Sequence, residues 1–238
     1  MNRIALITGA NKGIGFETAR QLGRKSFSVV ITARDEGRGQ AAQNQLAGEG
    51  IDAHLIVMDP LRTESIQQAV STVQAKFGVL DVLINNCGTL VKSDNAAPTK
   101  VPMQAFHETY ALNVFALHEI TCAFWPLLNK SKAARLVNVS SMLGSLTAHA
   151  DGSLDGIKLI AYDSSKAAVN MMTVHYAFEW RNTPHRANTI HPGSVKTDLN
   201  PGGELTLEIG AKTSVDLATI PDNGPNGQFF HLGEELPW

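Results

Sequence analysis

Ile4-Ala5-Leu6-Ile7-Thr8-Gly9-Ala10-Asn11-Lys12-Gly13-Ile14-Gly15 is the stretch that decides the fold. Four apolar residues of strand length run into three glycines, and Glu17–Arg24 beyond them has helical character. Glycine carries no Cβ, so the backbone at Gly9, Gly13 and Gly15 can turn tightly and come close to a pyrophosphate. The N-terminus of the following helix offers free N–H groups and the positive end of its dipole to such an anion. The spacing G-x-x-x-G-x-G is not the G-x-G-x-x-G fingerprint, and no Gly-Lys-Ser/Thr follows as in a P-loop. Alone it fits an ordinary strand–helix turn equally well.

Working outward, apolar runs of strand length recur at Ile4–Ile7, Ser28–Thr32, Ala53–Met58, Val79–Ile84, Arg135–Val139, Arg186–Ile190 and Gln228–His231. They are rich in Val and Ile and alternate little, as strands buried on both faces do. Helical stretches lie between them at Gly37–Gly48, Thr63–Phe77, Met103–Leu128 and Tyr162–Trp180. Ile66, Val70, Val73 and Phe77 fall on one helical face. Alternating strand and helix predicts an α/β fold: a doubly wound parallel sheet of about seven strands, flanked by helices. Leu146–Ile160 and Thr197–Gly210 are rich in Gly, Asp, Ser or Pro. They read as loops over the carboxyl ends of strands, where such sheets bind ligands, and so as a substrate rim.

The composition is that of an ordinary globular protein of 238 residues, with 43% hydrophobic and 18% charged residues and a formal net charge of −2. That charge provides no basic field for nucleic acid, and no uninterrupted run of about 18 apolar residues suggests a bilayer span. The first apolar run is short and leads into a glycine turn, so it reads as a strand and not as a secretory signal. Two cysteines, Cys87 and Cys122, are too few for a disulfide framework. The chain is expected to be cytoplasmic. The eight histidines show no metal-ligand spacing, so no metal is expected.

A dinucleotide fold that prefers an unphosphorylated ribose has an acid about 20 residues beyond its glycines. Ala33 stands there, followed by Arg34. Arg34 and Lys12 could bind a ribose 2′-phosphate, since guanidinium and phosphate match in charge and geometry; as solvated surface cations they would need no ligand. Asp35 and Glu36 could neutralise Arg34. Asp59-Pro60 ends the third strand, and its carboxylate could either accept from an adenine amino group or cap the helix that follows.

Tyr162 and Lys166 stand four apart on a helical stretch and share its face. A tyrosine of ordinary pKa, about 10, is too weak an acid for proton transfer near neutrality, and an adjacent ammonium favours its phenolate. Ser140 ends the strand Arg135–Val139 at the same sheet edge as the glycine turn and could polarise a carbonyl. Asn113 sits mid-helix among apolar residues, an unfavourable place unless it has a task such as opening the helix to bind a water leading to the lysine.

These residues resemble the single-domain short-chain dehydrogenase/reductases along nearly the whole chain. The resemblance rests on Thr8-Gly9-x-x-x-Gly13-x-Gly15, Asp59, Asn85-Asn86-x-Gly88, Asn113, Ser140, Tyr162-x-x-x-Lys166, and Pro192-Gly193 followed by Thr197. Within that family, Asn11-Lys12-Gly13, Thr32-Ala33-Arg34-Asp35 and Gly224-Pro225-Asn226-Gly227-Gln228-Phe229 are similar to NADPH-dependent carbonyl reductases.

The resemblance implies a single Rossmann-type domain over 1–238, its cofactor-binding part about 1–140 and its catalytic and substrate-loop part about 140–238. Tyr162 would donate the proton. Lys166 would bind the nicotinamide ribose and lower the tyrosine pKa, Ser140 would orient the carbonyl, and Asn113 would support a water relay. Gly9, Asn11, Lys12, Gly13, Ile14, Gly15, Arg34, Asp59, Pro60, Asn86 and Gly88 would bind NADP(H), with Pro192, Gly193, Val195 and Thr197 cradling the nicotinamide and its phosphates.

Cys87 departs from the family's usual alanine. The interval from Ser140 to Tyr162 is longer than in most members and shorter than in monomeric carbonyl reductases, which leaves monomer or homo-oligomer undecided. The expected activity is NADPH-dependent reduction of small aldehydes or ketones, with neither nucleic acid nor membrane as partner. Oxidation of a secondary alcohol is the alternative direction, and a non-catalytic NADP-binding sensor the remoter one.

Overall fold

In the computed structural model, which describes residues 2–238, one eight-stranded sheet carries the chain. Its strands are β1 (Ile4–Ile7), β2 (Ser28–Ala33), β3 (Ala53–Val57), β4 (Val82–Asn85), β5 (Arg135–Val139), β6 (Arg186–Ile190), β7 (Phe229–His231) and β8 (Glu234–Glu235). The order is β3-β2-β1-β4-β5-β6-β7-β8. Every pairing is parallel except the last, where two-residue β8 folds back on β7. The expected sheet is present with one short antiparallel strand more than predicted.

The helices are α1 (Gly13–Arg24), α2 (Glu36–Gly48), α3 (Thr63–Lys76), α4 (Met103–Tyr110), α5 (Leu117–Leu128), α6 (Leu146–Ala150), α7 (Ile160–Glu179) and α8 (Leu207–Ala218). Side chains alternate across a strand, and each face of the sheet has its own core. Ala5, Ile7, Val29, Ile31 and Ile84 pack with Phe16 and Leu22 of α1, Leu46 of α2 and Val215 of α8. Ile4, Leu6, Val30 and Leu83 pack with Ile66 and Val73 of α3, Phe124 of α5 and Trp180 just beyond α7. Both residue sets are buried, so a one-residue slip of any central strand would exchange the two cores, and the register is fixed from both sides.

Where the sequence reading and the structure differ, local chemistry explains it. Helix α1 begins at Gly13, not near Glu17, because the last two glycines open the helix. Strand β4 is confined to Val82–Asn85; Leu80 N donates instead to Leu127 O at the end of α5, at 3.2 Å. Two of the predicted loops hold helix: Ser145 Oγ accepts from Ala148 N at the start of α6, and Thr206 Oγ1 accepts from Ile209 N at the start of α8.

The run Met103–Leu128 is helical throughout but widens to a π-turn at Ala111–Ala116. By length and composition it could cross a membrane: an 18-residue window of it has a mean hydropathy of 1.3, and half of that window is buried. Its buried half packs against the sheet through Ile120, Phe124, Leu127 and Leu128.

The order of β1 and β4 places the site. The chain leaves β3, crosses back over the sheet and enters β4 beside β1. At that reversal a crevice opens outside the carboxyl ends of the strands.

Candidate active site

The crevice is a cleft of about 550 Å³. Its floor is the glycine turn after β1. Gly9 and Gly13 have φ of +63° and +62°, values that an L side chain rarely adopts. A Cβ on Gly15 would stand 2.5 Å from Asn86 Nδ2 and 2.9 Å from Gly9 O. Gly15 therefore serves packing beneath the turn and does not line the cleft.

Thr8 and Asn86 clamp this turn to the end of β4. Thr8 Oγ1 accepts from Asn86 N at 2.9 Å and Cys87 N at 3.0 Å, and Asn86 Nδ2 donates to Thr8 O at 2.9 Å. Helix α1 has neither a side-chain cap nor an acid in its first turn. Its leading N–H groups and positive dipole end therefore face the cleft uncompensated.

Gly9, Asn11, Lys12, Gly13, Ile14, Arg34, Asp59, Pro60, Asn86, Gly88 and Thr197 all line the cleft. Pro192, Gly193 and Val195 do not reach its wall. Val195 is buried and its backbone is so close to Gly203 that a Cβ there would stand 2.3 Å from the Val195 carbonyl carbon. The segment thus forms the wall's support.

The cations at the mouth have different partners. Lys12 Nζ meets Asp198 Oδ2 at 2.5 Å, and this ammonium holds the Asp198 carboxyl below the usual carboxylate range. Arg34 is exposed and forms no salt bridge among the described residues. Asp35 forms no salt bridge with it, and its carboxylate caps α2 by accepting from Arg38 N at 2.8 Å. Asp59 closes a turn by accepting from Leu61 N at 3.0 Å. The N-cap of α3 is Arg62, without a side-chain bond, so the helix-cap reading of Asp59 is overturned.

Behind Gly88 stands the second cluster. A Cβ on Gly88 would lie 3.6 Å from Lys166 Nζ and 3.5 Å from Asn113 Oδ1. Lys166 is buried, with Nζ 5.6 Å from the centre of the Tyr162 ring. It donates to Val139 O at 2.9 Å. Burial pushes its ammonium down to about 8.

Burial likewise pushes the Tyr162 phenol up to about 12; a hydrogen bond from Ser141 works against this, and the negative charge of Asp163 adds to it. The lowering of the phenol expected from Lys166 does not outweigh this burial.

Two adjacent serines face different ways. Ser140 Oγ donates to Lys166 O at 3.2 Å and is buried beneath α7. Ser141 lies near enough to the phenol to work against its burial, and its Oγ accepts from Leu143 N at 3.2 Å. The turn that follows it packs tightly on α7: a Cβ on Gly144 would stand 2.7 Å from the Lys166 carbonyl carbon. The sequence reading assigned the carbonyl to Ser140; the geometry offers Ser141 instead. Side chains alternate at the end of β5, and only the position of α7 decides which hydroxyl reaches the site.

Asn113 lies within the π-turn, buried. Its Oδ1 accepts from Thr89 N at 2.8 Å, and its Nδ2 donates to Thr89 O at 3.0 Å and to Ser165 Oγ at 3.1 Å. The helix is locally opened at Asn113, as expected, and the side chain itself joins the cleft wall to α7.

The short-chain dehydrogenase family model matches residues 3–204. The chain belongs to this family. It is 32% identical to a (+)-neomenthol dehydrogenase from Capsicum annuum, over 98% of this chain and 96% of that protein. It is 30% identical to carbonyl reductase 1, an NADPH enzyme from Sus scrofa, over 99% and 94%. Among solved structures it superposes on the NADPH-bound carbonyl reductase from chicken fatty liver with a TM-score of 0.87 at 26% identity, covering 100% of this chain and 99% of that one. The protein is thus a short-chain oxidoreductase resembling carbonyl reductases, of a family that binds nicotinamide cofactors.

Proposed function

We propose that the protein reduces aldehydes or ketones to alcohols with NADPH. The observation that carries this reading is the cluster of buried Ser141 and Lys166 with half-buried Tyr162, set behind the Gly88 wall of a dinucleotide-sized cleft. The cleft residues fit the cofactor. The glycine turn and the open N-terminus of α1 suit a pyrophosphate. Ala33 leaves the ribose end without an acid, and Arg34, free of any salt bridge, is available to a 2′-phosphate beside Lys12. The likeness to NADPH carbonyl reductases supports the same choice.

The bound nicotinamide would supply the hydride. Ser141 donates a hydrogen bond to the substrate carbonyl oxygen and holds it beside the phenol. Tyr162 delivers its proton to that oxygen as negative charge develops there. Lys166 places a positive charge next to the phenolate left behind and stabilises it. Ser140 supports Lys166 through its backbone, and Asn113 fixes Thr89 against α7.

With its proton in place the phenol is the acid that reduction requires, and the likeness to NADPH carbonyl reductases supports that direction. The intact cluster of donor, lysine and hydroxyl argues against a purely nucleotide-sensing role.

The test is nucleotide consumption with NADPH and, in parallel, NADH across aldehydes, aryl ketones, α-diketones and keto esters. Turnover favouring NADPH is expected. Bound NADPH with no carbonyl consumed across the panel would refute the assignment.

A further inference from the structure

The helix that carries Tyr162 and Lys166 has no side-chain cap of its own. Leu159 stands at its N-cap position and offers no acceptor, although the first N–H groups of a helix lack partners within it. Two of them are answered from a distant segment. Ala161 N donates to Asp94 Oδ1 at 3.0 Å and Tyr162 N to Asp94 Oδ2 at 2.8 Å, across 67 and 68 positions of sequence. Asp94 is fully buried.

The carboxylate faces the positive end of a 20-residue helix and accepts two charge-assisted hydrogen bonds there. Asp94 closes the short 3-10 turn Lys92–Asp94, which follows the Asn86–Thr89 wall of the cleft. That wall is tied to α7 a second time, because Asn113 holds both backbone groups of Thr89 and donates to Ser165 Oγ. The cleft wall and the first turns of α7 are thus joined at two points, neither of which passes through a reacting atom.

We propose that Asp94 is a positioning residue: its paired bonds to the Ala161 and Tyr162 amides lock the helix bearing the proton donor to the cofactor-side wall, so that seating the dinucleotide and placing the phenol are one event. Two bonds from one rigid carboxylate fix both the rotation and the axial position of the first turn of α7. Tyr162 and Lys166 take their places from that turn. A misplacement on the order of 1 Å costs about 100-fold in rate.

The kinetic part of this inference rests on Tyr162 being the proton donor; the structural part does not. The test uses Asp94→Asn, which keeps one acceptor oxygen, and Asp94→Ala, which keeps none. Amide hydrogen exchange over residues 159–168 is expected to quicken by about 10-fold in Asp94→Ala and by less in Asp94→Asn, with α1 and α5 unaffected. NADPH should slow exchange in that segment in the parent protein and fail to do so in Asp94→Ala.

Turnover should fall about 100-fold in Asp94→Ala and about 10-fold in Asp94→Asn, while the NADPH dissociation constant stays within about twofold. Unchanged exchange over 159–168, or turnover at the parent rate in both variants, would overturn the proposal. So would a loss spread evenly over all helices with nucleotide affinity falling in step, the mark of a general stabiliser. If Asp94→Ala does not fold, Asp94→Asn decides. A parent protein that reduces no carbonyl refutes the proposed reaction alone, and exchange over 159–168 then decides the role of Asp94.

Discussion

The two halves of the active site are built on opposite principles. The cofactor cleft is made of backbone: glycines without Cβ, the free end of α1, and exposed cations at its mouth. The proton-donor cluster is made of buried and half-buried side chains, with the lysine driven down to about 8 and the phenol up to about 12. Charges at the mouth act through water and are screened by salt. Charges in the cluster act where desolvation dominates. Substitutions at the mouth should therefore retune affinity and cofactor choice, and substitutions in the cluster should remove chemistry.

The largest expected effect lies in the cluster. Tyr162→Phe should lower kcat about 1,000-fold, within the range for loss of a positioned acid, while leaving NADPH affinity unchanged in a fluorescence titration. The paired serines sharpen the comparison. Ser141→Ala should cost about 100-fold in kcat, as for loss of one donor to a developing oxyanion, whereas Ser140→Ala should cost only a few-fold. The reverse order would return the carbonyl to Ser140.

At the mouth, Arg34→Glu should move the NADPH/NADH preference by about 10- to 100-fold, the worth of a charged hydrogen bond, with kcat nearly constant. A fall in kcat there would break the division between the halves. In the parent protein kcat/KM for reduction should decline as pH rises through about 8, where Lys166 loses its proton. A rate that holds level to pH 10 would remove the ammonium from the mechanism.

The smallest effect concerns stability. Burial raises the Asp163 carboxyl to about 6, against the opposing charge of His149. Between its ordinary pKa and that value the folded protein holds more proton than the unfolded chain, so this group's stabilising contribution is lost as pH rises through the window. Asp163→Asn should thus gain a few degrees in Tm relative to the parent on going from pH 4 to pH 7.

The sheet and the glycine turn were legible because each is written in contiguous residues. Ile4–Ile7 and Arg135–Val139 run strand for strand as read, and a dinucleotide turn must keep its glycines next to its helix. Ser141, Asp94 and Asp198 were not, because their roles depend on what folding brings beside them. Which of two serines lies near the phenol depends on the seat of α7; the cap of α7 arrives from after β4; and Asp198 meets Lys12 across 186 positions of sequence. Leu207–Ala218 hid for another reason: its capping Thr206 follows a run of Pro and Gly that reads as loop.

The account's central claim is best tested by single-turnover transfer from NADPH deuterated at the nicotinamide C4 to an aryl ketone, in the parent protein and in Tyr162→Phe. The account predicts deuterium on the carbinol carbon in the parent, and transfer about 1,000-fold slower in the variant at equal nucleotide occupancy. Bound NADPH that passes no deuterium to any carbonyl, or a variant that transfers it at the parent rate, would contradict it.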